Sequence, residues 1–236
     1  MPAAPALLAW SGGKDAAWAL HVLRRRGEVE VVALLSTVTR EHARASMQGV
    51  RTDVLQAQAR AAGLPLLEAP IPAQCDNATY DAAMADALRQ AQARWPGLRT
   101  AAFGDLLLAD IREYREQRLA AVGWDLVTPL FGSDTAALAR EMQAAGLRAG
   151  LCCVDTQRLD ARFAGHPFDA ALLDALPPDV DPCGENGEFH TCAWDGPMFD
   201  APLELERGET VLRDGRFTYT DFAVATAQRG GGVRAD

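Results

Sequence analysis

The chain has 236 residues, of which 49% are hydrophobic and 23% charged, so its composition excludes a disordered or fibrous protein. Its 23 Lys and Arg residues against 32 Asp and Glu give a net charge of −9, which argues against a broad surface for nucleic acid or for an anionic membrane. Any bound anion must therefore be held by a local group of donors.

The first 130 residues alternate short apolar runs with amphipathic segments. Buried strands are predicted over four runs without polar alternation: 6–10, 29–37, 64–70 and 99–103. Helices are predicted after each of them, over 15–26, 50–62, 77–94 and 110–122. Strands separated by helices predict βαβ units, and hence an α/β fold with a parallel, doubly wound sheet.

The pattern changes after Pro129. A helix is predicted from a cap at Ser133–Thr135 to Gly146, followed by a strand over 148–154 and a hairpin over 203–225 around Asp214–Gly215. The intervening residues 177–200 are rich in Pro, Gly and acids and show little periodicity. We therefore predict one domain over 1–130, a smaller C-terminal α+β domain over 131–226, and a flexible tail over 227–236.

The segment 11–15, Ser-Gly-Gly-Lys-Asp, joins the first strand to the first helix. Glycines allow backbone N–H groups to approach an anion, and the start of a helix adds unpaired N–H groups and the positive end of the dipole. Lys14 supplies a cation, and Asp15 either caps the helix or holds Mg²⁺. The alternative is a plain strand-to-helix turn with a solvated lysine, although a cation in a first turn is unfavourable unless an anion is bound.

This segment resembles the PP-loop, SGGxDS, of the ATP pyrophosphatase superfamily, most of whose members attack the α-phosphorus of ATP and release pyrophosphate. Ala16 stands where those enzymes have Ser, which removes a hydroxyl donor worth about 1.5–3 kcal/mol to a charged acceptor. The resemblance implies ATP and Mg²⁺ as cofactors, with Asp15 as the metal ligand. It implies nucleotide contacts by Ser11, Gly12, Gly13, Lys14, Asp15, Gly104 and Asp105.

Further segments resemble the diphthine–ammonia ligase family, and its bacterial branch most closely. Residues 182–191, PCGENGEFHT, resemble the family's GENGE[FY]HT signature, and residues 46–51, SMQGVR, resemble its Ser-Met-His-Gly-Val-Arg stretch. Phe103-Gly104-Asp105 with Tyr114-Arg115-Glu116, and Pro129-Leu130-Phe131, match two further elements in order. The resemblance extends from about Leu7 to Phe222.

This second resemblance implies a ligase that adenylates a carboxylate and transfers ammonia, with pyrophosphate and AMP released. It implies ATP binding by the domain over 1–130 and acceptor binding by the domain over 131–226. The odd number of cysteines and the lack of a CxxC pair predict a reducing, cytoplasmic location. The acceptor in a bacterial host is expected to differ from diphthine, and a homodimer is compatible with the sequence. Catalytic roles are implied for Lys14, Asp105 and Glu188. Substrate contacts are implied for Ser46, Met47, Gly49, Arg51, Arg115, Glu185, Asn186, Gly187, Glu188, His190 and Thr191.

Several alternatives stay open from the residues alone. Residues 184–191 form either a carboxylate and imidazole cluster or an acidic surface turn, and Asp105 is either a ligand at the sheet edge or a helix cap. Cys152 and Cys153 are interpreted as core residues. The competing functions are a nucleotide sensor without chemistry and an RNA- or nucleotide-modifying enzyme. The negative charge and the lack of a catalytic cysteine pair argue against the latter and against nucleic acid as a partner.

Overall fold

A computed structural model describes residues 3–225, so the predicted tail over 227–236 lies outside the described residues. The strands are β1 Ala4–Ala9, β2 Val29–Thr39, β3 Arg44–Ala45, β4 Leu66–Ile71, β5 Thr100–Ala102, β6 Asp125–Val127, β7 Arg148–Asp155, β8 Phe189–Asp195, β9 Leu205–Arg213 and β10 Phe217–Val224. The helices are α1 Lys14–Arg26, α2 Thr52–Ala61, α3 Asn77–Arg94, α4 Ala109–Ala120, α5 Thr135–Ala144 and α6 Ala170–Ala175.

The N-terminal half forms a parallel sheet with the order β4-β2-β1-β5-β6. The short β3 pairs antiparallel with the end of β2, beyond the end of β1. The chain winds outward from β1 in one direction through β2 and β4, and then in the other direction through β5 and β6. This reversal between β1 and β5 opens a crevice at their carboxyl ends, where ligands bind in open α/β sheets.

Helices cover both faces of this sheet, as the uninterrupted apolar strands predict. Leu8 packs into a cluster with the apolar residues of α1 and α2, while its neighbour Leu7 packs into a second cluster with α3 and α4. The predicted α/β fold with a doubly wound parallel sheet is therefore confirmed.

The C-terminal half forms an antiparallel sheet with the order β8-β7-β10-β9. Leu151 of β7 and Phe189 of β8 belong to the same apolar cluster as α1 and α2, so this sheet packs over the helices on one face of the parallel sheet. The smaller C-terminal α+β region is confirmed, and its hairpin turns at Asp214 and Gly215 with φ of 53° and 62°. The boundary near residue 130 stays a prediction.

Four elements were not predicted: β3, β6, α6 and β8. The first three are too short for periodicity to reveal them. β8 lies within residues 177–200, which show little periodicity in sequence, and it forms because Phe189–Asp195 pairs with β7 directly after a glycine-rich turn. Among residues 3–225, no helix is long and apolar enough to cross a membrane.

Candidate active site

A crevice of about 870 Å³ lies at the carboxyl ends of β1 and β5. It joins four segments that are distant in sequence: residues 11–15 (the glycine loop), the end of β5, the segment before α2, and the start of β8 with the turn that precedes it. The predicted site residues that line it are Ser11, Gly13, Lys14, Asp15, Ser46, Met47, Gly104, Asp105, Arg115, Glu185, Asn186, Gly187, His190 and Thr191.

The glycine loop is packed too tightly for side chains at either glycine. Gly12 has a φ of +79°, and a Cβ there would lie 2.8 Å from the Leu55 side chain. Gly13 precedes α1 with extended backbone, and a Cβ there would lie 3.1 Å from the carbonyl oxygen of Thr191. The Thr191 hydroxyl accepts a hydrogen bond from the Lys14 N–H at 3.0 Å. The loop and β8 are therefore built as one unit.

Gln58 of α2 holds this unit together, and sequence reasoning missed it. Its fully buried amide donates to the carbonyl oxygens of Gly12 at 2.9 Å and Ala193 at 2.6 Å, and it accepts from the Trp10 indole at 2.9 Å. The sequence carried one signal of this role, because Gln58 occupies the apolar face of an amphipathic helix, where a polar side chain needs buried hydrogen-bond partners. Gln58 makes no predicted contact with ligand, but it sets the position of the loop that does.

Lys14 lies beneath the glycine loop, with only 2% of its side chain exposed. Its ammonium donates to Asp15 Oδ2 at 2.9 Å and to the Cys183 carbonyl, and it lies 5.5 Å from the ring centres of Phe168 and Phe189. Burial by itself lowers the pKa of Lys14, but the surrounding negative groups, Asp15 above all, outweigh it and raise the pKa. Lys14 is therefore a charged, buried cation, which excludes the alternative of a solvated lysine.

Two carboxylate oxygens in the crevice are buried and lack a hydrogen-bond partner within the described residues: Asp15 Oδ1 and Asp105 Oδ2. Burial raises the pKa of Asp15, and Lys14 partly offsets this rise. The other oxygen of Asp105 accepts from Arg115, whose guanidinium lies 4.3 Å from the ring centre of Phe103. A Cβ on Gly104 would lie 2.8 Å from the Asp15 carbonyl oxygen, so the end of β5 packs directly on the first turn of α1.

These two free oxygens fit a Mg²⁺ ion that also binds phosphate. Mg²⁺ is usually held by one or two carboxylates, with substrate phosphates and water completing its octahedron. No group of three metal-binding side chains occurs in the part of the chain that the structure describes, so a cage made of protein alone is not available there. Asp15 and Asp105 are therefore the residues that suit the ion.

Glu188 is held in a structural network, and its predicted catalytic role stays a prediction. Its carboxylate is 2% exposed and accepts three hydrogen bonds, from the Asp181 N–H at 3.1 Å and from the side chain and N–H of Asn186, each at 2.9 Å. Asp181 in turn accepts from the N–H groups of Cys183 and Glu185. The conformation of residues 181–188 is thus held by two carboxylates, Asp181 and Glu188, which accept hydrogen bonds from within this segment.

Glu185 and His190 face the crevice instead. Burial and the neighbouring Asp15 raise the pKa of Glu185 to about 7, with Lys14 acting in the opposite direction. Burial, together with Lys14, lowers the pKa of His190 to about 4. At neutral pH, Glu185 is poised to exchange a proton, whereas His190 is uncharged.

Gly49 and Arg51 do not line the crevice, and they make structural contacts with β10; their contacts with substrate stay a prediction. Gly49 has a φ of +73°, and a Cβ there would lie 3.1 Å from the Tyr219 ring. Arg51 pairs with Asp221 at 3.3 Å, and Arg44 binds the same carboxylate at 2.8 Å. These contacts tie the segment before α2 to β10.

The crevice has a further wall that no sequence signal predicted. It contains the apolar side chains Met84, Leu108 and Ile111, and a charged cluster of Asp155, Arg158 and Arg216. Arg158 follows Asp155 by three residues, but Arg216 lies 61 residues further along the chain than Asp155 and meets it because β7 and β10 are neighbours. Tertiary pairing of this kind leaves no local pattern.

Comparison with known families covers most of the chain. A model of the diphthamide synthase N-terminal domain matches residues 5–119, and a model of the diphthamide synthase C-terminal domain matches residues 134–221. No curated protein matches the chain significantly.

Proposed function

The chain belongs to the diphthamide synthase family, which makes it an ATP-using PP-loop enzyme of the diphthine–ammonia ligase type, and from this premise we propose that it forms an amide from a carboxylate acceptor and ammonia. The observation that carries the proposal is the crevice at the reversal of the parallel sheet. There a phosphate-type loop, two unpartnered carboxylate oxygens and a glutamate with a pKa near neutral face one another.

In the proposed first step, an oxygen of the acceptor carboxylate attacks the α-phosphorus of ATP. The bond from that phosphorus to the bridging oxygen breaks, and pyrophosphate leaves. The Lys14 N–H donates to Thr191, so the phosphates bind to the other N–H groups in the first turn of α1, and the buried Lys14 side chain adds a fixed positive charge beneath them. Asp15 and Asp105 would hold Mg²⁺, which would neutralise the charge that develops on the phosphate oxygens.

In the second step, the nitrogen of ammonia attacks the carbonyl carbon of the acyl adenylate, and AMP leaves. The attacking nitrogen must lose a proton for each amide formed. Glu185 is the group we assign to accept it, because it faces the crevice with a pKa of about 7. His190, which is neutral at this pH, contributes hydrogen bonds and no charge.

The products of ATP cleavage test this function directly. ATP labelled at the α-phosphorus, ammonium and a metabolite extract should yield AMP and pyrophosphate in equal amounts, together with a new amide detected by mass spectrometry. Lys14→Met should abolish this turnover. ADP and orthophosphate as products, or full activity in Lys14→Met, would contradict the proposal.

A nucleotide sensor is the second candidate, and Ala16 favours it. This side chain lines the crevice where related loops have a hydroxyl donor. If ATP raises the melting temperature of the protein while no extract supports its cleavage, the sensor is the better description.

A further inference from the structure

A buried carboxylate orients an arginine in the lining of the crevice. Asp155 is 2% exposed and lies at the end of β7. Arg216 donates to both of its oxygens, from Nε at 2.9 Å and from Nη2 at 2.5 Å, and these bonds lower the pKa of Asp155. The pairing is bidentate, so it fixes the plane of the guanidinium as well as its position.

A second arginine beside this pair lacks such a partner. The Nε of Arg158 lies 3.9 Å from Asp155, beyond hydrogen-bond distance, and half of its side chain is exposed. Its guanidinium donates no hydrogen bond to the part of the chain that the structure describes. The other crevice cations differ, since Lys14 is paired with Asp15 and Arg115 with Asp105. Two guanidinium groups against one carboxylate leave this wall with a net positive charge.

The cluster lies on the antiparallel sheet, whereas the glycine loop and the end of β5 belong to the parallel sheet. Cys153 pairs with His190 and precedes Asp155 by two residues, so the side chains of His190 and Asp155 leave the same face of that sheet. The ATP phosphates are assigned to the glycine loop, which offers N–H groups at the start of α1 and the buried Lys14. The arginine cluster is a separate source of positive charge in the same crevice, and so it is available to the other substrate.

We propose that Arg158 and Arg216 form a subsite for a second anionic group of the acceptor, a carboxylate or phosphate that does not react. A guanidinium pair recognises such a group through parallel N–H···O bonds. The reacting carboxylate must stay free to approach the α-phosphorus, so the acceptor class becomes a dicarboxylate or a phosphorylated carboxylic acid. This inference rests on the proposed function, since it assumes that an acid is the second substrate.

The test measures binding of acids to the full-length protein saturated with α,β-methylene ATP. The probes are three pairs that differ in one anionic group: succinate and butyrate, glutarate and valerate, 3-phosphoglycerate and glycerate. By calorimetry, at least one dianionic member should bind roughly tenfold or more tightly than its match. The preference should disappear in Arg158→Gln, a replacement that breaks no hydrogen bond within residues 3–225. Arg140→Gln, on an exposed position of α5, should retain it.

Equal affinity within every pair in the wild-type protein would overturn the subsite, as would an unchanged preference in Arg158→Gln. Weaker binding of the ATP analogue to Arg158→Gln would assign the guanidinium to the triphosphate and would also overturn it. These outcomes are separable from failure of the proposed function, which is judged by the products of ATP cleavage.

Discussion

At the scale of single residues, the choice of cation is informative. Lys14 is the only lysine among the 23 basic residues of the chain. Its ammonium occupies a closed space bounded by Phe168, Phe189 and the Cys183 carbonyl. A compact ammonium fits where a planar guanidinium, with a wider fork, does not.

We therefore expect Lys14→Arg to reduce both the stability and the activity of the protein, although this substitution keeps the positive charge. Overpacking of a buried site costs about 1–3 kcal/mol of unfolding free energy, and the displaced loop should lose ATP turnover. Urea denaturation and the AMP assay measure the two effects. Arg140→Lys at an exposed position is the control, and wild-type behaviour of Lys14→Arg would show that the charge alone matters.

Ala16 offers a gain-of-function test. Ala16→Ser restores the hydroxyl that related loops present to phosphate, and a hydrogen bond to a charged group is worth about 1.5–3 kcal/mol. We expect the Kd for ATP to fall roughly tenfold, as measured by calorimetry. An unchanged Kd would mean that the phosphates do not reach the first turn of α1 at this position.

The raised pKa of Glu185 predicts that the stability of the folded protein depends on pH. Its pKa is about 7 in the folded protein and about 4.5 in the unfolded chain, so the folded state holds more protons between these values. Stability contributed by Glu185 is then present at low pH and falls as pH rises from 4.5 to 7. Since the group is partly exposed, the loss is of the order of 1 kcal/mol.

Glu185→Gln should remove this loss and, if Glu185 is the base, lower the rate of amide formation by about 10²–10⁴. Denaturation at pH 5 and pH 8 gives the first effect, and the AMP assay gives the second. Equal pH slopes in the two proteins would contradict the raised pKa.

At the scale of elements, the site depends on α2 and β8 being locked to the glycine loop. Gln58→Met leaves the carbonyls of Gly12 and Ala193 without their side-chain donor and the Trp10 indole without its acceptor. We expect a loss of at least about 2 kcal/mol of unfolding free energy, together with weaker ATP binding.

Gln56→Met is the matched control on the same helix, because Gln56 is exposed and its side chain bonds, among residues 3–225, only to Glu68. Its effect should stay within about 0.5 kcal/mol. Similar losses in both variants would mean that the amide of Gln58 does not position the loop.

At the scale of the whole molecule, the two sheets share one apolar cluster that includes Leu8 and Trp18 on one side and Leu151 and Phe189 on the other. The backbone bond from the Ala193 N–H to the Gly12 carbonyl adds a polar connection at 2.9 Å. We expect β1 and β8 to unfold together, because neither half can expose this surface alone at low cost.

Native-state hydrogen exchange checks this expectation by comparing the opening free energies of amides in β1 and β8. Values that agree within about 1 kcal/mol indicate one cooperative unit. A much lower value in β8 would favour a C-terminal domain that opens independently of the first 130 residues.

Local sequence patterns were sufficient to predict much of the fold of this protein. Uninterrupted apolar strands predicted a parallel sheet, glycines marked the ends of α1 and the hairpin turn, and residues 11–15 carried the signature of a phosphate site. Each signal depends on backbone preferences and side-chain periodicity within about 20 residues. The net charge of −9 is compatible with the proposed phosphate site, because that site would use N–H groups and one buried lysine instead of a positively charged surface.

Only the tertiary structure decided the roles of individual side chains. Glu185 and Glu188 look alike in sequence, but one faces the crevice and the other is enclosed by backbone N–H groups. Gln58 and the pair of Asp155 with Arg216 acquire their functions from partners tens of residues away. The physical reason is that solvent exposure, pKa and hydrogen-bond satisfaction depend on which segments fold against one another, and this information is absent from any local stretch of sequence.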